Sequence, residues 1–153
     1  MQKNQRTIKK EVVIYGSGLH TGLETKVKFK PAQPFQGITF VRSDLDNRPT
    51  ISAYGKNVIS TNRGTTLQEN GAIVKTTEHL LAAIAGLEID NIIIEIDNEE
   101  IPILDGSSEP FLKILQSAGI KEENINKQFF NPKNKIEFYF EETDSRYILE
   151  PAD

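Results

Sequence analysis

Six consecutive apolar residues, Leu80 to Ala85, constrain the fold of this chain more than any other stretch. Thr76 and Thr77 precede them and are typical helix caps, and Gly86 follows them as a typical helix end. The pattern predicts a short helix that is apolar almost all the way round. Because such a helix belongs in a core, the rest of the chain has to cover it.

The first turn of this predicted helix carries Glu78 and His79, two residue types able to do acid–base or metal chemistry. The residues alone leave a second interpretation open for each. In the second interpretation, Glu78 is simply a first-turn carboxylate that the positive end of the helix dipole favours. In the second interpretation, His79 is an imidazole at the helix start that hydrogen-bonds to a neighbouring group.

Two patterns predict the strands that would supply the core. Leu23–Lys30 alternates between apolar and polar or charged side chains, which is typical of an antiparallel strand with one face in water. Ile89–Ile96 is apolar on both faces and is therefore predicted to be a central strand. Asn70 followed by Gly71 predicts a hairpin turn between two shorter strands.

A second helix is predicted to start after Ser108 as its cap, with Pro110 in the first turn and Gly119 at its end. The predicted fold class is α+β. About five to eight short and mostly antiparallel strands would form one sheet, with both helices packed on one of its faces as a two-layer sandwich.

The predicted division of the chain has three parts. Residues 1–120 would form the sheet-and-helix domain, and the mostly polar residues 121–134 would form a linker. Residues 135–153 would contain one hairpin. Since a lone hairpin is marginally stable in water, it would either pack on the domain or begin a further structure.

Composition excludes several classes of function. The 18 basic and 22 acidic residues are mixed along the chain, so no clustered positive charge predicts a nucleic-acid partner. No apolar run approaches the roughly 20 residues of a membrane helix. The chain has no cysteine, which rules out disulfides and thiolate zinc ligands. These features predict a cytoplasmic domain.

Two further places carry candidate functional residues. Gly16 to Gly22 contains three glycines and predicts a tight loop where the backbone approaches another group closely. His20 in this loop is by default an exposed histidine, and Asp105 by default caps the turn before Gly106. With only two histidines, a catalytic zinc bound by three protein ligands would need Asp or Glu as well.

Four stretches in this order and spacing resemble a known enzyme family. They are 16–22, 77–87, 89–91 and 101–111. Together they are similar to the N-terminal half of the UDP-3-O-acyl-N-acetylglucosamine deacetylases, zinc enzymes of lipid A synthesis in Gram-negative bacteria. The resemblance extends from about Thr7 to the end of the chain.

The resemblance implies roles for particular residues. His79 matches a zinc ligand, and Glu78 matches the general base that takes a proton from zinc-bound water as it attacks the acetamide carbonyl. Leu19 and His20 match a substrate-binding segment at the entrance of the active site. Asp105 matches a motif that provides structural support.

The resemblance also implies what this chain would lack. Members of the family have two similar domains that pack helix layer to helix layer, and the second domain supplies the remaining zinc ligands and a catalytic histidine. Residues 135–150 would begin that domain, so we expect this chain alone to be inactive and to self-associate through its uncovered helix layer. Fusion to a dehydratase domain, as in some bacteria, stays open. The competing hypothesis is a binding domain that keeps the fold without the chemistry.

Overall fold

The computed structural model describes residues 3–151. Within them the chain forms helices α1 (Glu78–Gly86) and α2 (Glu109–Ser117). The strands are β1 (Asn4–Ile8), β2 (Val12–Ser17), β3 (Glu24–Pro31), β4 (Ile38–Arg42), β5 (Thr50–Ser52), β6 (Val58–Ser60), β7 (Thr66–Glu69), β8 (Ala72–Val74), β9 (Ile92–Ile96), β10 (Ile120–Asn126), β11 (Ile136–Phe140) and β12 (Ser145–Leu149). The predicted α+β class with mostly antiparallel strands is confirmed. The described strands belong to four sheets rather than one.

The largest sheet has the order β2-β3-β9-β4-β5, with β9 at its centre as predicted. β9 pairs antiparallel with β3 and parallel with β4. Ile92, Ile94 and Ile96 are buried, whereas the opposite face of β9 is only half buried and carries Glu95, which pairs with Lys30. The prediction of two apolar faces was therefore wrong for one face, because the helices cover only the other.

The alternation in β3 holds as predicted, with Thr25, Val27 and Phe29 buried. Leu23, which the pattern placed on the same face, precedes the strand and is exposed. β6, β7 and β8 form a separate antiparallel sheet. Its predicted hairpin turn is confirmed, since Asn70 and Gly71 both have positive φ, at 51° and 75°.

Both helices contribute one face to a single core. Leu80, Ala83 and Ile84 of α1 and Phe111 and Leu115 of α2 are buried in the same apolar cluster as the β9 isoleucines. On the opposite side of α1, Ala82 and Ala85 are exposed. The prediction of a helix buried all round was wrong, because the described part of the chain covers only one face of it.

The helix ends differ from the sequence prediction. Neither Thr77 nor Ser108 caps its helix through the side chain, and Ser107 instead accepts a hydrogen bond from Glu109 N at 3.1 Å. Gly86 is the last residue of α1 rather than its left-handed terminator. The left-handed conformation falls on Glu88, at φ 53°.

The predicted linker 121–134 is partly wrong. Its first residues belong to β10, which pairs antiparallel with β1 and brings Arg6 opposite Glu122. This pairing joins residues more than 110 positions apart, which no local pattern reveals. The hairpin of β11 and β12 is present as predicted, and its aromatic side chains, including Phe138 and Phe140, are exposed. Neither helix among the described residues has the length and apolar character to cross a membrane.

Candidate active-site cleft

The first turn of α1 presents Glu78 and His79, both half buried. The carboxylate of Glu78 accepts a hydrogen bond from the backbone N–H of Thr65, at 2.9 Å. Gly64 lies beside it, and a Cβ added there would stand 3.4 Å from Glu78 Oε1. Residues 62–65, the part of the β6–β7 connection named loop 62–65, thus set the orientation of the predicted catalytic carboxylate.

The same loop reaches the glycine-rich segment. The ring Nε2 of His20 lies 3.2 Å from the carbonyl oxygen of Arg63, within hydrogen-bond distance. Thr77 Oγ1, at the start of α1, donates to the carbonyl oxygen of Thr65 at 3.2 Å. Loop 62–65 is therefore the bridge that brings His20 and Glu78 into one region of the fold.

Both loops line an open cleft of about 230 Å³. Its walls include His20, Arg63, Gly64, Lys75 and Thr76. Leu19, the neighbour of His20, is 57% exposed, so it presents apolar surface on the same loop. An exposed apolar residue beside an imidazole at the edge of a cleft suits contact with an amphipathic ligand.

A buried carboxylate, Glu100, organises the backbone around this cleft. Its side chain accepts hydrogen bonds from His20 N at 3.0 Å, from Thr21 N at 2.8 Å and from Thr76 Oγ1 at 3.0 Å. Burial disfavours the charged form of Glu100, but these donors outweigh burial and lower its pKa to about 2. Glu100 is therefore ionised at neutral pH inside the fold.

Asp105 lies in an exposed turn before α2. It accepts hydrogen bonds from the backbone N–H and the hydroxyl of Ser107, at 2.9 and 2.8 Å. The Ser107 N–H lowers the pKa of the Asp105 carboxyl, with the hydroxyl adding to the effect. These bonds are all within its own turn, so the structure does not bring Asp105 together with Glu78, His79 and His20 through a hydrogen bond.

The candidate metal ligand of this site is His79. Within residues 3–151, no three or more His, Asp or Glu side chains lie close enough to hold a metal ion. His79 is chemically suited to be one ligand of a zinc ion, as a half-buried imidazole at the edge of the core. What this part of the chain can do by itself is hold a carboxylate and an imidazole in one helix turn.

Sequence analysis missed two features that position these residues. The Asn62-Arg63-Gly64 sequence of loop 62–65 by itself indicates only a turn, and Glu100 stands in the sequence only as the last residue of the acidic stretch 97–100 after β9. One local pattern indicates that Glu100 is buried: it directly precedes the apolar run Ile101 to Leu104, and burial of that run would also bury the neighbouring charge. Its partners, His20 and Thr76, are 80 and 24 residues away.

Comparison with known proteins identifies related sequences over nearly the whole chain. Residues 5–153 match the family described as UDP-3-O-acyl N-acetylglycosamine deacetylase. A UDP-3-O-acyl-N-acetylglucosamine deacetylase of Myxococcus xanthus is 45% identical over 149 residues, which are 97% of this chain and 47% of that protein. A deacetylase of the same name from Saccharophagus degradans is 48% identical over 132 residues, 86% of this chain and 44% of that protein.

A relative described as bifunctional is identical to this chain to a comparable degree. The bifunctional enzyme LpxC/FabZ of Bacteroides thetaiotaomicron is 43% identical over 147 residues, 96% of this chain and 32% of that protein. The chain therefore spans between about a third and a half of the length of these curated relatives.

Proposed function

This chain belongs to the UDP-3-O-acyl-N-acetylglycosamine deacetylase family, and from that premise we propose that it is the N-terminal part of a zinc-dependent amidohydrolase. The native-length protein would remove the N-acetyl group from a UDP-linked acylated glucosamine in lipid A synthesis, in the cytoplasm.

The observation that carries the proposal is the setting of Glu78. Its carboxylate lies in the first turn of α1 beside His79, is oriented by Thr65 N at 2.9 Å, and shares a region of the fold with the cleft-lining His20. A general base has to be held in a defined position near the proton it accepts. The second oxygen of Glu78, beside the small Gly64, is the atom we assign to this proton transfer.

The proposed reaction is hydrolysis of the acetamide. Water adds to the amide carbonyl carbon, and Glu78 accepts a proton from that water. The amide nitrogen takes up a proton, from protonated Glu78 or from a donor outside residues 3–151, as the C–N bond breaks, and acetate and the free amine of the sugar are released. His79 would hold the zinc ion together with ligands from outside residues 3–151. A bound zinc ion with an open position acidifies water and polarises a carbonyl group.

Leu19 and His20 would contact the substrate at the mouth of the cleft, with Leu19 offering apolar surface to the acyl chain. Asp105 would support the turn that leads into α2. The part of the chain described here would be inactive alone, because one imidazole does not make a catalytic zinc site.

A second candidate function is a binding domain that retains the fold without turnover. It is favoured by one observation, namely that residues 3–151 contain no complete metal-ligand cluster. The two candidates differ in whether the native-length protein binds zinc and hydrolyses the substrate.

The test compares this chain with the native-length protein, measuring zinc content and deacetylation of a UDP-linked acylated N-acetylglucosamine. We expect about one zinc ion per native-length chain and turnover only in that form. Glu78→Gln should lower kcat by about 10² to 10⁴-fold, the usual contribution of a general base, while zinc is retained. His79→Ala should lose the zinc.

Glu109→Gln is the matched control, since Glu109 is also a first-turn carboxylate but lies at the start of α2, where it pairs with Lys113. Its activity should equal that of the wild type. A native-length protein without zinc, or a Glu78→Gln variant with full turnover, would refute the proposed function.

A further inference from the structure

Glu100 has no part in the proposed chemistry, yet it is the most completely enclosed carboxylate near the cleft. Its exposed fraction is 0%. A buried charge is costly unless donors surround it, so its presence in this position calls for a role. The groups that surround it belong to two different segments of the cleft wall.

One side of Glu100 holds the loop that carries His20. Oε1 accepts from His20 N at 3.0 Å, and Oε2 accepts from Thr21 N at 2.8 Å. Gly18 fits against the same carboxylate, and a Cβ added there would overlap both Glu100 Oε2 and Thr21 Oγ1. The carboxylate and the glycine together set the path of the loop backbone.

The other side of Glu100 holds the approach to α1. Oε1 accepts from the hydroxyl of Thr76, at 3.0 Å. Thr76 has φ 57°, a left-handed conformation that is strained for a β-branched residue and persists only where the surroundings enforce it. Two residues later the chain enters α1 at Glu78.

The backbone around Glu100 makes the same connection. Lys75 N donates to the carbonyl oxygen of Glu99 at 2.8 Å, and Ile101 N donates back to Lys75 O at 3.1 Å. Ile103 N donates to the carbonyl oxygen of Ser17 at 3.0 Å. Segment 99–103 therefore lies between the glycine-rich loop and the start of α1 and bonds to both.

We propose that Glu100 is a positioning residue that fixes the His20 loop relative to the first turn of α1, and so places the substrate-binding loop opposite Glu78. This inference rests on the proposed function for its effect on substrate. It extends that function by assigning the geometry of the cleft to a buried residue that does not touch the substrate.

The chemistry of the site requires a carboxylate rather than any polar side chain. Each oxygen of Glu100 accepts from at least one backbone N–H of residues 20 and 21. In Glu100→Gln one oxygen becomes an NH₂ group, which would face a donor whichever way the amide turns. The variant keeps the volume of the side chain but removes its negative charge and its ability to hold all three donors.

The test uses the native-length protein and two readouts. Hydrogen exchange of the His20 and Thr21 amides should be about tenfold or more faster in Glu100→Gln, while amides of β3 stay protected. KM for the acylated UDP-sugar should rise about tenfold, the size of a lost hydrogen bond to a charged group, with kcat changed much less. A merely structural role would lower stability without moving the KM of the folded enzyme.

Two further variants keep the test decisive. Gly18→Ala disturbs the same contact from the loop side and should reproduce both effects even if Glu100→Gln folds poorly. Glu122→Gln is the matched control, since Glu122 is a surface carboxylate on β10 that pairs with Arg6 of β1, and it should change neither readout.

The outcomes separate this inference from the proposed function. If wild type turns over but both Glu100→Gln and Gly18→Ala leave amide exchange and KM unchanged, the positioning role is refuted and the deacetylase function stands. If wild type does not turn over, the proposed function fails. Amide exchange at His20 and Thr21 then still decides whether Glu100 holds the loop.

Discussion

Acid should remove the contribution of Glu100 to the stability of this chain. Its pKa is about 2 in the folded protein against an ordinary value of 4.5. In the unfolded chain the group binds a proton below about pH 4.5 while the folded protein still keeps it ionised. The stabilisation is therefore complete above that pH and is lost as the pH falls towards 2.

The magnitude follows from this difference in pKa. A shift of roughly 2.5 units at about 1.4 kcal/mol per unit gives about 3 kcal/mol at pH 7. About 1 kcal/mol of this remains at pH 3, where the folded-state carboxylate is still mostly ionised. The donors from His20, Thr21 and Thr76 are the source of this free energy.

Urea denaturation of wild type and Glu100→Gln at both pH values is the assay. We expect the destabilisation caused by Glu100→Gln to be about 2 kcal/mol larger at pH 7 than at pH 3. Any pH-independent cost of the substitution is the same at both pH values and cancels in this difference. The surface variant Glu122→Gln should stay within about 0.5 kcal/mol of wild type. A destabilisation that is the same at both pH values would refute the assignment of Glu100 as an ionised buried group.

Two further expectations concern the turn and the uncovered surfaces. Gly71→Ala should lower the free energy of unfolding, measured by urea denaturation, by about 1 to 2 kcal/mol because φ is 75° at this position. Gly55→Ala is the control and should not lower it, since a Cβ at Gly55 meets nothing within 4 Å and φ is not positive there. Equal effects of the two substitutions would contradict the backbone argument. Sedimentation of the 153-residue chain should show association that rises with concentration, because one face of α1 and the hairpin aromatics Phe138 and Phe140 are exposed. A clean monomer at high concentration would count against this.

Elements with strong local patterns were predictable from the sequence. The period-two alternation of β3 specifies which face is buried, and the isoleucine run of β9 specifies a central strand. The Asn70-Gly71 turn follows from backbone sterics alone, since both residue types tolerate positive φ.

The helix start shows why the caps were not predictable. Thr76 and Thr77 have the residue type of a cap, but tertiary partners take both hydroxyls, namely Glu100 for Thr76 and the carbonyl of Thr65 for Thr77. A threonine hydroxyl bonds to whichever acceptor the fold brings nearest. That choice depends on segments 12 and 24 residues away.

The sequence by itself determined which residues are candidates for the proposed chemistry: Glu78 and His79 are adjacent at the head of an apolar helix, in a pattern of four stretches typical of one enzyme family. Only the tertiary structure decided how they are held. Loop 62–65 orients Glu78, and Glu100 joins the His20 loop to the start of α1. The reason is physical: covalent neighbours determine local periodicity, whereas a buried carboxylate finds its donors only after distant segments have packed around it.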